Sequence, residues 1–292
     1  MKNLSAKRAN LEKCGEYGII RSSTVSQVEV LSIIHAHENR SNNNEVRVLK
    51  EGRKSTVYLL PVSLGEEKKM ICLKHYPFQG GVTSLKNIFL PSRAMSAFKA
   101  AETFRHLGIT TAKSLAVVEK RRGLLLTESI LVMEDISQHL GFPEYLDKNF
   151  FPTLSKNQIK QKRAFIKEVA GYIRQLHAKG IYPTDLKTTN IFVEETSTEK
   201  RTFWLIDLDQ VFFLKRVSKR RRIKNIGQIN TSIPGHITLT DRLRFYHHYT
   251  GKKQLEHEDK KIIRAIIRLS WKRNPHWHPR FGMDARLIRN WE

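Results

Sequence analysis

The sequence predicts an α+β protein of two lobes, the first mainly strands with one helix, the second mainly helices with a small strand pair between them. Three observations carry this expectation. Residues 46–136 are built from short apolar, β-prone runs separated by polar turns. From residue 155 onward, apolar residues recur at helical spacing over long stretches. The character changes near Glu134–Ser137, which places the boundary there. The expected division is residues 1–40 as an N-terminal extension, 41–134 as the first lobe, and 135–292 as the second lobe with a basic C-terminal part.

Taken in order, "NRSNNNE" (39–45) reads as a polar turn, followed by strands at "VRVL", "STVYLLPV" and "MICLKHYPF" (70–78), the last with one lysine inside it. The piece "AMSAFKAAETFRHLG" (94–108) reads as a helix. Met95, Phe98, Ala101, Phe104 and Leu107 recur at helical spacing, and Gly108 is a natural stop. Two more strands are expected at 114–119 and 129–136. The strongest helix signal is 155–180, where Ser155 and Gln158 have capping-box spacing. Ile159, Ile166, Val169, Ile173 and Leu176 form its stripe, and Gly180 ends it. A loop and two short strands follow within 181–213, then basic, mostly helical sequence including an amphipathic stretch at 259–271.

Cys14 and Cys72 supply no disulfide framework and no metal-type pair, which points to a reducing compartment. No apolar run approaches the ~20 residues a bilayer crossing needs, and the first twenty residues lack the apolar core of a signal peptide. A cytoplasmic protein is the expectation. The charge is lopsided, with 52 Lys+Arg against 28 Asp+Glu. Residues 215–292 hold 20 basic and 6 acidic residues, the densest run being "KRVSKRRRIK" (215–224). A surface of this kind attracts polyanions such as anionic lipid headgroups, a phosphorylated glycan or nucleic acid; the plain alternative is a solvated face. The basic runs carry no recognisable base-reading motif, so nucleic acid is disfavoured. The histidines His247, His248, His257, His276 and His278 lack metal-ligand spacing and read as surface or core residues. The aromatic-basic segment 271–281 reads as a buried C-terminal cap rather than a membrane patch.

The chemistry concentrates in "GIYPTDLKTTNIFV", Gly180 to Val193. Asp185 and Asn190 stand five apart with Lys187 between them. This spacing lets an aspartate face an acceptor hydroxyl while an asparagine oxygen reaches a metal and the lysine neutralises charge on a transferred phosphoryl group. "WLIDLDQV" places Asp207 and Asp209 at the end of an apolar strand, where a carboxylate costs desolvation unless it meets a cation. Upstream, Gly52, Ser55 and Val57 stand where a turn covering phosphates would sit, and Lys74 lies mid-strand. Alone, Lys74 reads as an exposed edge residue rather than a charge pointed into a cleft, and D-x-D as surface chemistry; the order of the parts is what is informative.

These residues resemble the protein-kinase-like fold, with "YPTDLKTTNI" matching the catalytic-loop pattern H-R-D-L-K-x-x-N-I at Asp185, Leu186, Lys187, Asn190 and Ile191. Taken with "LIDLDQV", "RRRIKNIGQINTSIP", "TDRLRFYHHYTG", "LVMEDI" and the segment 91–121, the chain is similar to the lipopolysaccharide kinase family, the bacterial Kdo and heptose kinases, over about residues 45–255. The resemblance implies a first lobe of mainly antiparallel sheet plus one helix. It implies Asp185 as base or hydroxyl-orienting residue and Lys187 as transition-state cation, with Asn190 and Asp207 as Mg2+ ligands. Lys74 would hold the α- and β-phosphates of ATP beneath Gly52, Ser55 and Val57, with Glu102 as its partner, and Met133, Glu134 and Ile136 would form the hinge against the adenine. Pro183 and Thr184 replace the His-Arg of the pattern, and Leu208-Asp209 replaces Phe-Gly.

The implied function is an ATP- and Mg2+-dependent kinase acting on a sugar hydroxyl, Kdo or heptose, of the lipopolysaccharide inner core. Its expected partners are this anionic glycolipid and, peripherally, the cytoplasmic face of the anionic inner membrane. A protein or small-molecule kinase of the same fold is the alternative within enzymes, and a catalytically silent nucleotide-binding scaffold the alternative outside them.

Overall fold

The computed structural model describes residues 12–64, 67–78, 90–151, 153–196 and 200–274. The chain divides into two compact units, residues 1–106 with 112–138, and residues 107–111 with 139–292. In the first unit, strands β1 (Glu12–Cys14), β2 (Tyr17–Arg21), β3 (Arg47–Lys50), β4 (Thr56–Leu64), β5 (Glu67–Pro77), β6 (Ser114–Arg122) and β7 (Leu125–Glu134) form one sheet. Its order is β1-β2-β6-β7-β5-β4-β3, every pairing antiparallel. Helix α1 (Gln27–Glu38) packs over β4, and α2 (Arg93–His106) touches β5, β6 and β7.

Because side chains alternate across a strand, the sheet carries two separate packed layers. Val30, Ile33 and Ile34 of α1 close over Tyr58, Leu60, Ile71, Leu73, Ile130 and Val132 in one core. Leu59, Lys74, Tyr76, Val117 and Leu131 fall on the alternate parity, the face that receives α2 through its buried Met95, Phe98, Ala101 and Phe104. Helix α1 was not expected from the sequence. Its start is a capping box: Ser26 N–H donates to the Glu29 carboxylate at 2.6 Å, and Glu29 N–H to Ser26 Oγ at 3.2 Å. Residues 12–38, set apart in the sequence as an extension, thus supply two strands and a helix of this unit.

The second unit holds β8 (Leu140–Gly141), α3 (Phe142–Phe150), α4 (Lys156–Ala178), β9 (Ile181–Pro183), β10 (Ile191–Glu195), β11 (Arg201–Leu205), β12 (Val211–Phe213), α5 (Lys219–Ser232), α6 (Leu239–Thr250) and α7 (His257–Arg273). The capping box expected at Ser155 and Gln158 is formed. Phe165 of α4, fully buried, is the hub of its core, with ring centroids of Phe142, Tyr145, Phe150 and Phe203 between 5.0 and 5.8 Å away. Burial of such a side chain contributes about 3 kcal/mol. Lys162 and Asp241 tie α4 to α6 through a buried ion pair of 2.7 Å. Among the described residues, no helix is long and apolar enough to cross a membrane.

Helix α4 delivers the chain to the loop of interest through Gly180, whose φ is +76° and whose carbonyl accepts from Leu214 N–H at 2.9 Å. A Cβ at this position would stand 1.9 Å from the Leu214 carbonyl oxygen. Both the left-handed backbone and the close approach require glycine. Gly180→Ala is expected to destabilise the protein by about 3 kcal/mol or more, read as a loss of denaturation midpoint in a chemical melt; a change within about 0.5 kcal/mol would contradict this packing.

Candidate active site

The loop between β9 and β10 is fixed by backbone pairing at one end and by a helix at the other. Strand β9 pairs with β12 (Pro183 opposite Val211), and Thr184 N–H donates to the Gln210 carbonyl at 3.1 Å. Within the loop, Lys187 N–H donates to Asp185 O at 3.1 Å and Asn190 N–H to Lys187 O at 3.0 Å, closing a single turn of 3-10 helix at Thr188–Asn190. Leu186 is fully buried, which turns the flanking Asp185 and Lys187 outward. Their side chains are 44% and 42% exposed and meet at 2.7 Å, Nζ to Oδ2.

Asn190 donates its side-chain amide to the Asp185 carbonyl at 3.0 Å, which directs its Oδ1 away from the loop. The Asn190 carbonyl accepts from Ile206 N–H at 2.9 Å, and Ile191 pairs with Leu205, so the hairpin β10–β11 sets Asn190 beside the residue preceding Asp207. Asp207 itself has φ +63° and ψ +57°, the left-handed region, and among the described residues it is the one non-glycine with positive φ. Aspartate tolerates this conformation better than most residues, and it turns the carboxylate off the strand just after Leu205. The donor set of Asp207 and Asn190, one carboxylate and one amide oxygen, is the hard-oxygen chemistry that suits Mg2+.

The sequence did not single out what holds this loop. Asn225, Gln228 and Ser232 lie on one face of α5, and the first two are almost completely buried. Gln228 Nε2 donates to Thr184 O at 2.6 Å and lies 3.5 Å from Asp185 Oδ1, while its Oε1 accepts from Leu186 N–H at 3.1 Å. One amide therefore fixes the backbone on both sides of Asp185. Asn225 Nδ2 donates to Pro183 O at 2.7 Å and to Gln228 Oε1 at 2.8 Å. Ser232 Oγ accepts from Thr188 N–H at 2.9 Å, and Thr188 Oγ1 donates to Ser232 O at 2.6 Å. Behind them, His177 of α4 donates from Nε2 to Asn225 Oδ1 at 3.1 Å and accepts from the Tyr249 hydroxyl at Nδ1, 2.8 Å. A polar residue at each of these positions of a buried helix face, i, i+3 and i+7, was the available signal. A second cation was also missed, since Arg273 Nη2 stands 3.6 Å from Asp185 Oδ1.

The first unit carries the other expected residues. Gly52 and Ser55 form the turn between β3 and β4, with Ser55 N–H donating to Gly52 O at 3.2 Å. Val57 and Leu131 lie directly across the ladder from Lys74 on either side, so the three side chains share the α2 face of the sheet. Lys74 is 8% exposed, its Nζ 5.3 Å from the Tyr76 ring centroid. Met133 pairs with Cys72, and Glu134 with Ile71, at the end of β7. The Glu134 carboxylate accepts from Lys113 N–H at 2.7 Å, and Ile136 follows where the chain leaves the sheet. Glu102 lies on the last turns of α2, ion-paired with Arg105 at 3.0 Å and 37% exposed. Asp209 sits in the short turn after Asp207. His276, His278 and most of the aromatic-basic segment 271–281 lie outside the described residues.

Burial lowers the His177 pKa to about 4, so the ring is neutral in the folded protein, as its hydrogen bonds require. In the unfolded chain a histidine titrates near 6.5, and it therefore binds more protons than the folded state between the two values. Stability present above pH 6.5 is lost as the pH falls toward 4, by up to about 3 kcal/mol. Melts across this range should show that slope in the wild type and a flatter one in His177→Gln; equal slopes would disprove the neutral, buried histidine.

A model of the lipopolysaccharide kinase (Kdo/WaaP) family matches residues 84–249, more than half of the chain. No curated protein matches. Among solved structures, one described as WaaP in complex with acyl carrier protein is similar, with a TM-score of 0.58 at 15% identity, covering 87% of this chain and 98% of that one. A double mutant of the Mycobacterium tuberculosis PknI kinase domain gives a TM-score of 0.37 at 12% identity over 75% of this chain and 85% of that one, a likeness too slight to bear on the fold. The fold is that of WaaP, a mainly antiparallel sheet unit followed by a mainly helical one, and the chain belongs to the lipopolysaccharide kinase (Kdo/WaaP) family, the kinases of the lipopolysaccharide core.

Proposed function

We infer that this chain transfers the γ-phosphoryl group of Mg-ATP to a sugar hydroxyl, of Kdo or heptose, in the inner core of lipopolysaccharide. The observation that carries the reading is the loop 183–190. Its backbone is fixed by buried amides while the Asp185 carboxylate and the Lys187 ammonium remain solvent-accessible side by side. Asp185 would orient the acceptor hydroxyl and take its proton, and Lys187 would balance charge building on the transferred group. Asn190 Oδ1 and the Asp207 carboxylate would hold Mg2+, which when bound neutralises the phosphate oxygens. Lys74, with the Gly52–Ser55 turn and Val57, would hold the nucleotide phosphates. Met133, Glu134 and Ile136 would meet the adenine. For Glu102, the recorded ion pair with Arg105 supports a surface role as readily as a partnership with Lys74.

The surface beside the loop supports an anionic glycolipid as acceptor, reached from the membrane face. Phe212 and Phe213 of β12 are 54% and 41% exposed, next to the run 215–224. Arg221 lies over the Tyr182 ring at 5.2 Å and Lys224 at 6.0 Å, while Tyr182 stacks on Phe212. Exposed aromatics flanked by cations suit the interfacial zone of an anionic leaflet, where each basic side chain contributes about 1 kcal/mol.

Label from γ-labelled ATP should appear in purified rough lipopolysaccharide, and Asp185→Ala should lower the rate roughly 10²- to 10⁴-fold. Labelling of protein but not of the glycolipid, or equal rates in the two enzymes, would refute the assignment. Sedimentation with vesicles of anionic lipid should weaken steeply with added salt and with Arg220→Glu and Lys224→Glu together; binding indifferent to both would remove the membrane-facing role of this surface.

A further inference from the structure

On the α1 face of the sheet, opposite the face that carries Lys74, three metal-ligating side chains converge that the kinase chemistry does not use. His37 comes from the last turn of α1, His75 from β5 and Glu128 from β7, and one ligand atom from each lies within 4.8 Å of the others. His75 follows Lys74 by one residue, so the pleat sends it to the other face. Glu128 pairs with Pro77, two residues further along β5 and on the same side as His75. His37 Nε2 stands 3.2 Å and His75 Nε2 2.9 Å from the same Glu128 oxygen. The rings of the two histidines are 5.2 Å apart.

We propose that His37, His75 and Glu128 form a binding site for a divalent transition metal of the zinc type, which staples α1 to the sheet. Two imidazole nitrogens and a carboxylate oxygen are a donor set of this class. Bonds of about 2.0–2.2 Å in a tetrahedron set neighbouring donor atoms about 3.3–3.6 Å apart, so small outward shifts of the two imidazoles, now 3.2 and 2.9 Å from the Glu128 oxygen, would admit the ion. The second layer is also in place. His37 Nδ1 is hydrogen-bonded to the Tyr58 hydroxyl, itself buried on β4 and stacked on the His37 ring. Such a partner fixes which ring nitrogen is free for a metal.

The protonation is consistent without an external base. Metal entry requires both neutral imidazoles to present the Nε2 lone pair, so His37 carries its proton at Nδ1, donated to the Tyr58 oxygen, and His75 carries its own at Nδ1 as well. Each ring changes only its tautomer, and no oxidant or reductant is involved. Among the described residues, two cations stand near the site: Arg40, with Nη1 at 3.5 Å from His37 Nε2, donates at 2.8 Å to the His37 carbonyl, and Lys120, opposite Glu128 in the register of β6 and β7, is ion-paired with Glu16. The partial exposure of His75 and Glu128, 16% and 23%, leaves a path for the ion and a fourth position for water.

The test uses the full chain, freed of metal by chelator and titrated with Zn2+ alone, with metal content and thermal midpoint as readouts. One equivalent should bind and raise the midpoint. His75→Ala and Glu128→Gln should each weaken that binding at least 100-fold, and Tyr58→Phe by roughly 10- to 100-fold. The phenylalanine keeps the ring packed, so this variant stays informative if a ligand substitution fails to fold. Absence of a stoichiometric, stabilising Zn2+ in the wild type would overturn the site and leave the three residues a hydrogen-bonded clamp. Equal affinity in wild type and Tyr58→Phe, or in wild type and folded His75→Ala, would overturn it too, placing the ion on other histidines of the chain.

Discussion

The second unit depends on one constraint, that a polar group taken out of water must find a partner inside the protein. A loop that turns an aspartate and a lysine outward on either side of a buried leucine also buries its own peptide groups. Those of Pro183, Thr184, Leu186 and Thr188 have nowhere to go in a regular sheet. They are met by side chains of α5, which gives up apolar surface along one face to supply amides and a hydroxyl at i, i+3 and i+7. The amides are in turn oriented by a neutral His177, which only burial keeps neutral. Removing any member leaves a buried donor or acceptor unmet, at about 1–3 kcal/mol. The position of Asp185 is thus set by buried side chains of α5 and α4, outside the loop itself.

The first unit solves a different problem with the period of a strand. One sheet has to present a lysine on one face and close a hydrophobic core on the other. Alternation along β5 does both: Lys74 falls on the α2 side and Leu73 and His75 on the α1 side. The antiparallel register then places Val57 and Leu131 against Lys74, and Ile130 against His75. A slip of one residue would exchange the two sets, burying the ammonium among Val30, Ile33 and Ile34. The two-sided packing is what makes that slip prohibitive.

Much of this was legible in the sequence, and the gaps have physical causes. The helix at 94–108 and the long helix capped at Ser155 were announced by periodicity and by local capping chemistry, and both formed within two residues of the expected bounds. The loop 185–190 was visible because spacing in a short segment maps directly onto a turn. Helix α1 was missed although Ser26 and Glu29 spell a capping box and Val30, Ile33 and Ile34 a stripe, because the segment was set apart as an extension. The left-handed backbone of Asp207 has no signature in an aspartate. The stripe of Asn225, Gln228 and Ser232 was quoted as part of a family pattern but given no role, since a polar residue on a helix reads as solvated until its neighbours are known.

That stripe also bears on Pro183 and Thr184, which stand where the related catalytic-loop pattern has His-Arg. An arginine at that point is a receptor for a phosphate added elsewhere, and the order of the loop then follows the state of another segment. Here the carbonyls of the same two residues accept from the side-chain amides of Asn225 and Gln228, at 2.7 and 2.6 Å. Proline has no N–H to satisfy, which suits a buried site approached only by donors. The loop is therefore ordered by groups that carry no charge. Asp185 is in this way held in one position by neutral buried groups, whatever the state of any other segment.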